Sequence, residues 1–138
     1  MAQLSPYLHF NGTCREAMTF YQACLGGELT MQTVGESPMA DHMPPDMHDR
    51  MLHSMLQNDA VVLMASDMLG AEEVVRGNDV HLCLVCTSKE EIEAAFAKLA
   101  EGGQVGHPLN EEFFGIFGDL TDQFGIGWML QFTPHPQG

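Results

Sequence analysis

Three residues in this sequence combine acid–base chemistry with a place on or beside an extended run: His53, Asp67 and His81. A histidine titrates near neutral pH, so either imidazole can move a proton or donate a hydrogen bond to a bound molecule. Each can equally be a core histidine held by a backbone partner. Asp67 follows Ser66 at the end of an apolar run. An aspartate there caps the next loop, binds a ligand, or does both. These three are the candidate catalytic residues. His9, in the first apolar run, reads more readily as structural.

A softer set of groups lies between them. Residues 36–55 hold Met39, His42, Met43, Met47, His48, Met51, His53 and Met55. Methionine and histidine suit Cu(I), whereas methionine's adaptability suits a flexible apolar cover over a pocket. The cover is the reading adopted. Cys83 and Cys86 have C-x-x-C spacing, but on a strand residues three apart point to opposite faces. They read as core residues, not as a metal or redox pair. Phe114, Phe117, Phe124 and Trp128 either wall an apolar cavity or fill the core. Asp119 and Asp122 read as caps of the last hairpin, and Glu111 and Glu112 as a solvated loop.

The elements that must position these groups form a pattern that occurs twice. Residues 5–10 read as a strand, Asn11-Gly12 as a turn, and Thr13 with Glu16 as a capping box. Ala17, Phe20, Tyr21, Cys24 and Leu25 then give a helical apolar stripe, stopped by Gly26-Gly27. Residues 28–34 alternate like a half-buried strand. Gly35, Pro38, Pro44 and Pro45 keep the following stretch irregular. Strands over 51–57 and 60–66 are joined by Asn58-Asp59, a tight link. After a loop over 67–78 come a strand (79–86), a capping box (Ser88, Glu91) and a second stripe (Ile92, Ala95, Phe96, Leu99). Gly102-Gly103 stops that helix. Strands over 103–109, 113–120 and 127–132 follow, and the tail from Thr133 is expected to fray. A shift of 76 residues lays Phe20 on Phe96 and Gly26-Gly27 on Gly102-Gly103. The order is β-α-β-β-β twice: an α+β fold, one domain (1–138) of two modules, 1–70 and 78–135. One helix cannot cover a whole sheet, so pairing of halves or of chains is expected.

Composition narrows the partners. Five basic residues stand against nineteen acidic ones, a formal charge of −14. That field repels phosphate backbones and anionic lipids, which argues against nucleic acid and membrane surfaces. No apolar run approaches the roughly 18–20 residues of a membrane helix. No secretory signal is visible at the start, so the four cysteines are expected reduced, in a cytoplasm.

The stretches Pro6 to Gly12, Ala17 to Gly27, His53 with Met64 to Asp67, and Phe114 to Phe132 (FGIFGDLTDQFGIGWMLQF) resemble the vicinal oxygen chelate superfamily. That superfamily includes glyoxalase I, bleomycin-resistance proteins and extradiol dioxygenases. Within it the chain is most similar to the PhnB-like branch, which also carries a 3-demethylubiquinone methyltransferase-like label. The resemblance implies a glyoxalase/bleomycin-resistance-like curved mixed sheet around a cup-shaped cavity, and a homodimer. A small-molecule ligand is expected to touch Tyr7, His9, Met64, Phe114, Trp128 and Met129. Metalloenzymes of the superfamily hold a divalent ion from four strands. Here those seats fall near Ser5 or Tyr7, at Leu63 or Met64, at His81 and at Met129. Only His81 is a good ligand for a hard ion, so no cofactor is expected. The methyltransferase label lacks support, because no glycine-rich loop follows a strand as in an adenosine-binding Rossmann fold. The function implied is binding or transformation of a small molecule. The alternatives are sequestration of a cationic ligand, as in bleomycin-resistance proteins, and a divalent-metal enzyme using His81.

Overall fold

The computed structural model describes residues 2–70 and 73–134. The chain divides into two compact units, residues 1–75 and 76–138. In the first unit the order is β1 (Tyr7–Phe10), α1 (Cys14–Leu25), β2 (Glu28–Thr33), β3 (Met51–Gln57) and β4 (Val62–Asp67). The second repeats it with β5 (Leu82–Val85), α2 (Lys89–Ala100), β6 (Gln104–Glu112), β7 (Gly115–Thr121) and β8 (Gly127–Phe132). The sheets run β1-β4-β3-β2 and β5-β8-β7-β6. In each, the first strand pairs in parallel with the last, and the other pairs are antiparallel. The expected β-α-β-β-β repeat is therefore present in both topology and pairing.

Each helix packs across the three strands nearest it in its own sheet. On α2 the buried residues are Ile92, Ala95, Phe96 and Leu99, the expected stripe. On α1 they are Cys14, Ala17, Met18 and Tyr21, while Phe20, Cys24 and Leu25 are half-buried. The α1 stripe is thus rotated from the expected one. Opposite the helices, Leu56, Leu63 and Ala65 close the first core, and Ile116, Leu120, Trp128 and Leu130 the second. Each such large apolar side chain contributes about 1.5–3 kcal/mol on burial.

The second glycine of each pair has a packing reason. A Cβ on Gly27 would lie 2.7 Å from the carbonyl oxygen of Gln57, and one on Gly103 would run into that of Thr121. Each helix end therefore sits directly on the backbone where the third strand of its sheet ends.

The two helix starts differ. Ser88 caps α2 as expected, its hydroxyl accepting from the Glu91 N–H at 3.0 Å. Glu91 reaches back to the N–H of Thr87 at 2.6 Å, one residue earlier than a capping box requires. Thr13 makes no side-chain cap. In its place Asp67, at the end of β4, accepts the N–H groups of Gly12 (2.8 Å) and Cys14 (3.0 Å) on one oxygen. Its other oxygen accepts the N–H of Met51 at 2.9 Å. One buried carboxylate thus ties the β1–α1 turn, β4 and the start of β3.

Several boundaries move. The β3–β4 link is four residues, with Gln57 paired to Val62 and the Asn58 side chain accepting from Ala60 and Val61 N–H. β6 extends to Glu112, and the expected strand over 113–120 starts at Gly115. The proline-rich stretch holds two 3-10 turns, Pro38–His42 and Pro45–Met47. His48 Nε2 donates to the carbonyls of Ala40 (2.9 Å) and Met43 (3.1 Å), pinning the turns together. The expected frayed tail lies, from residue 135, outside the described residues.

Asp67→Ala leaves three backbone donors without their acceptor. We expect a loss of about 3–5 kcal/mol in urea denaturation. A loss below about 1 kcal/mol would mean that these bonds are replaced by water at little cost.

Candidate functional site

Strand alternation puts successive side chains on opposite faces. In each sheet the helix covers one face and leaves the other open. On the open face of the first sheet, Tyr7, Met64, Met55 and Thr30 form one cross-strand row through the registers Tyr7↔Met64, Met55↔Met64 and Thr30↔Met55. The next row carries His9 with Ser66, and His53 with Gln32. Tyr7 joins the rows. Its hydroxyl lies 3.4 Å from His53 Nδ1, and its ring is 5.3 Å from that of His9 and 6.0 Å from that of His53. Tyr7, His9, His53 and Met64, all expected at a ligand site, therefore share one face. The short thioether and aromatic walls make an apolar floor, and the phenol and two imidazoles supply its polar groups.

Asp67 is not with them. Its side chain points to the helix side, is 5% exposed, and is engaged by the three N–H groups described above. As a group meeting ligand on the open face it is misplaced. Its role in this geometry is to hold the elements that carry Tyr7 and His53.

On the open face of the second sheet, Cys83, Met129, Asp119 and His107 form a row through Cys83↔Met129, Asp119↔Met129 and His107↔Asp119. Phe117 and Gln131 lie in the next row. Met129 is thus on an open face, as expected of a ligand contact. Trp128, one residue before it, must face the other way. It is 3% exposed in the second core, and its indole N–H donates to Asp122 at 2.8 Å. Asp122 also accepts from Phe124 and Ile126 N–H, so it caps the β7–β8 turn. Trp128 is a core residue in this structure, not a wall of the open face. Phe114 sits at the β6–β7 tip, stacked on Phe117 with ring centroids 5.6 Å apart. His81 precedes β5 and is exposed; a Cβ on Gly127 would meet its ring at 3.1 Å. His81 and His53 belong to different units.

The expectation missed His107. Its Nδ1 lies 2.8 Å from Asp119 Oδ2. In the sequence, Asp119 read as a hairpin cap and His107 as part of a short strand. The register shifts on both sides of His107 hide their pairing from any count of alternating positions.

Residues 3–130 match the Glyoxalase/Bleomycin resistance protein/Dioxygenase superfamily. The chain belongs to that superfamily. It is 31% identical to protein YjdN of Escherichia coli K12, across 92% of each chain. It is similar to protein PA1353 of Pseudomonas aeruginosa at 40% identity and a TM-score of 0.86, covering 96% of this chain and 98% of that one. The fold is also shared with a putative 3-demethylubiquinone-9 3-methyltransferase, PhnB protein, of Bacillus cereus. There the TM-score is 0.78 at 24% identity, over 96% of this chain and all of that one. The PhnB-like resemblance seen in the sequence thus has a counterpart in structure. No helix of the described residues is long and apolar enough to cross a membrane.

The superfamily's divalent-ion seats can be tested against the residues that occupy them. Ser5 precedes β1, Tyr7 faces Met64, His81 stands over Gly127, and Met129 faces Cys83. A hard divalent ion prefers oxygen and nitrogen donors; His81 is the one strong donor among these seats, the Ser5 hydroxyl and Tyr7 phenol are weak neutral ones, and the thioethers of Met64 and Met129 do not suit it. Among the described residues no group of three or more His, Cys, Asp or Glu is placed to hold a metal.

The thiols divide by environment. Cys83 is exposed on the open face, whereas Cys14 and Cys86 are 0% and 5% exposed. Burial pushes the Cys14 and Cys86 thiols from 9.0 up to about 11. Between those two values the unfolded state binds fewer protons than the folded one. Stability from these thiols is therefore complete below pH 9.0 and is lost as pH rises through about 11. We expect iodoacetamide to label Cys83 well before Cys14 or Cys86, and Cys14→Ala to flatten the alkaline fall in melting temperature.

Proposed function

We propose that this protein binds a small neutral or cationic molecule on the open face of the first sheet, with Tyr7 and His53 as polar anchors. The observation that carries this reading is the Tyr7–His53 contact at 3.4 Å on a face floored by Met55 and Met64. The residues around it set the ligand class. None of the five Lys and Arg residues stands on a strand. Arg50, the cation closest in sequence to His53, donates to Asn11 and to the Met68 carbonyl. Among the described residues no strand of this face offers an anionic ligand a Lys or Arg, and the net charge of −14 attracts cations at long range. His9 and Met64 extend the same surface. Either a proton transfer at His53 or simple sequestration is compatible with this chemistry, and turnover of a bound compound separates them.

The same proposal includes a homodimer, because one helix leaves each four-stranded sheet with an uncovered face. A reducing compartment such as the cytoplasm suits the four free cysteines.

The test is a ligand-observed NMR screen of a small-molecule panel balanced among amines, neutral aromatics and carboxylates. Hits should concentrate in the first two groups. Tyr7→Phe should weaken those hits by about two- to tenfold, the worth of one hydrogen bond. Preferential binding of carboxylates, or hits indifferent to Tyr7→Phe and His53→Ala alike, would overturn the proposal. Light scattering at micromolar concentration should give a dimer.

A further inference from the structure

His107 and Asp119 meet on the open face of the second sheet through two bonds to one carboxylate. The His107 backbone N–H donates to Oδ1 at 3.1 Å, and its ring Nδ1 lies 2.8 Å from Oδ2. The local backbone is shaped for this. Register shifts fall between Val105 and His107 and between His107 and Asn110. Such irregularities re-aim side chains. Gly106 leaves room that a side chain would take, since a Cβ there would run into Asp119 Oδ1. Holding the bulge would need only the backbone bond. The second bond fixes the ring.

The chemistry follows from the acceptor. An ionised carboxylate accepts and cannot donate, so Nδ1 is the protonated nitrogen of the neutral ring. Nε2 then carries the lone pair. The His107 side chain is 78% exposed and the Asp119 side chain 22%, so the imidazole faces outward on a partly buried support. Across the row lie Met129 and Cys83, and Phe117 follows on the same face.

We propose that His107 Nε2 is a proton acceptor, with Asp119 as its positioning residue, for a small molecule held on this face. The molecule would be neutral or cationic and carry a weakly acidic O–H, S–H or N–H. Its proton moves to Nε2, leaving the conjugate base of the ligand and an imidazolium whose charge Asp119 balances. A carboxylate–imidazole pair of this kind both selects the tautomer and stabilises the cation that forms. The proposal is independent of the Tyr7–His53 face, which lies in the other unit.

Diethyl pyrocarbonate tests it on the intact protein. The Nε2 lone pair attacks one carbonyl carbon and takes its ethoxycarbonyl group; the C–O bond to the other half breaks, and that half leaves as ethyl carbonate, which takes up the proton lost from Nδ1 and falls to ethanol and CO2. At about pH 7, peptide mass spectrometry should show His107 modified at least about threefold faster than exposed His42. Asp119→Asn should slow His107 by about threefold or more and leave His42 unchanged. Nitrogen-15 NMR of the unmodified protein should place the ring proton on Nδ1, a readout that needs no variant. Equal rates at His107 and His42, no effect of Asp119→Asn, or a proton on Nε2 would each overturn the assignment. Tyr7→Phe should change none of these readouts.

Discussion

Each four-stranded sheet has two faces and one helix to cover them. That constraint governs the rest of the molecule. The covered face must be apolar and closely packed, and it is: Leu56, Leu63 and Ala65 in one unit, Leu120, Trp128 and Leu130 in the other. The open face is released from that demand and can carry polar chemistry. Because alternation has period two, the assignment is strict. Trp128 and Met129 are neighbours in the chain, yet one is core and the other faces outward. Ser66 and Asp67 divide in the same way, one beside His9 on the open side and the other holding the helix side together.

Much of this was legible in the sequence. The 76-residue repeat, the α2 stripe, the Ser88 cap and the glycine stops all follow from local residue types. Membership of the superfamily was legible too, because its motifs are short runs within β1, α1, β3, β4 and the β7–β8 hairpin. Tyr7, His9, His53 and Met64 were placed by resemblance, and strand alternation explains why they share a face. What failed was information that lives outside the local window. The cap of α1 comes from Asp67, 53 residues beyond Cys14. A Thr-x-x-Glu pattern at Thr13 is sufficient in sequence and unused in the fold. The Asp119–His107 pair depends on a bulged register that residue types alone do not encode.

The two modules have also diverged where the repeat makes them comparable. Tyr7 paired with Met64 in the first corresponds to Cys83 paired with Met129 in the second. A phenol faces one open surface and a thiol the other. Of the seats at which superfamily metalloenzymes hold an ion, His81 alone keeps a good donor for a hard ion, while each open face has its own histidine in a specific contact. The scaffold is kept and its chemistry is distributed differently.

The contrast between the two helix caps decides what each helix end depends on. α2 carries Ser88 at its own start, so its first turn can form from residues already at hand. α1 lacks such a cap, and a short helix in water is marginal without tertiary support. Its missing acceptor arrives only when β4 has been made and has paired with β1. In the first module the cap of the helix is thus a tertiary contact, supplied by the sheet it packs on. In the second module the cap belongs to the helix itself. Two copies of one architecture thus secure the same helix end by opposite means, one tertiary and one local.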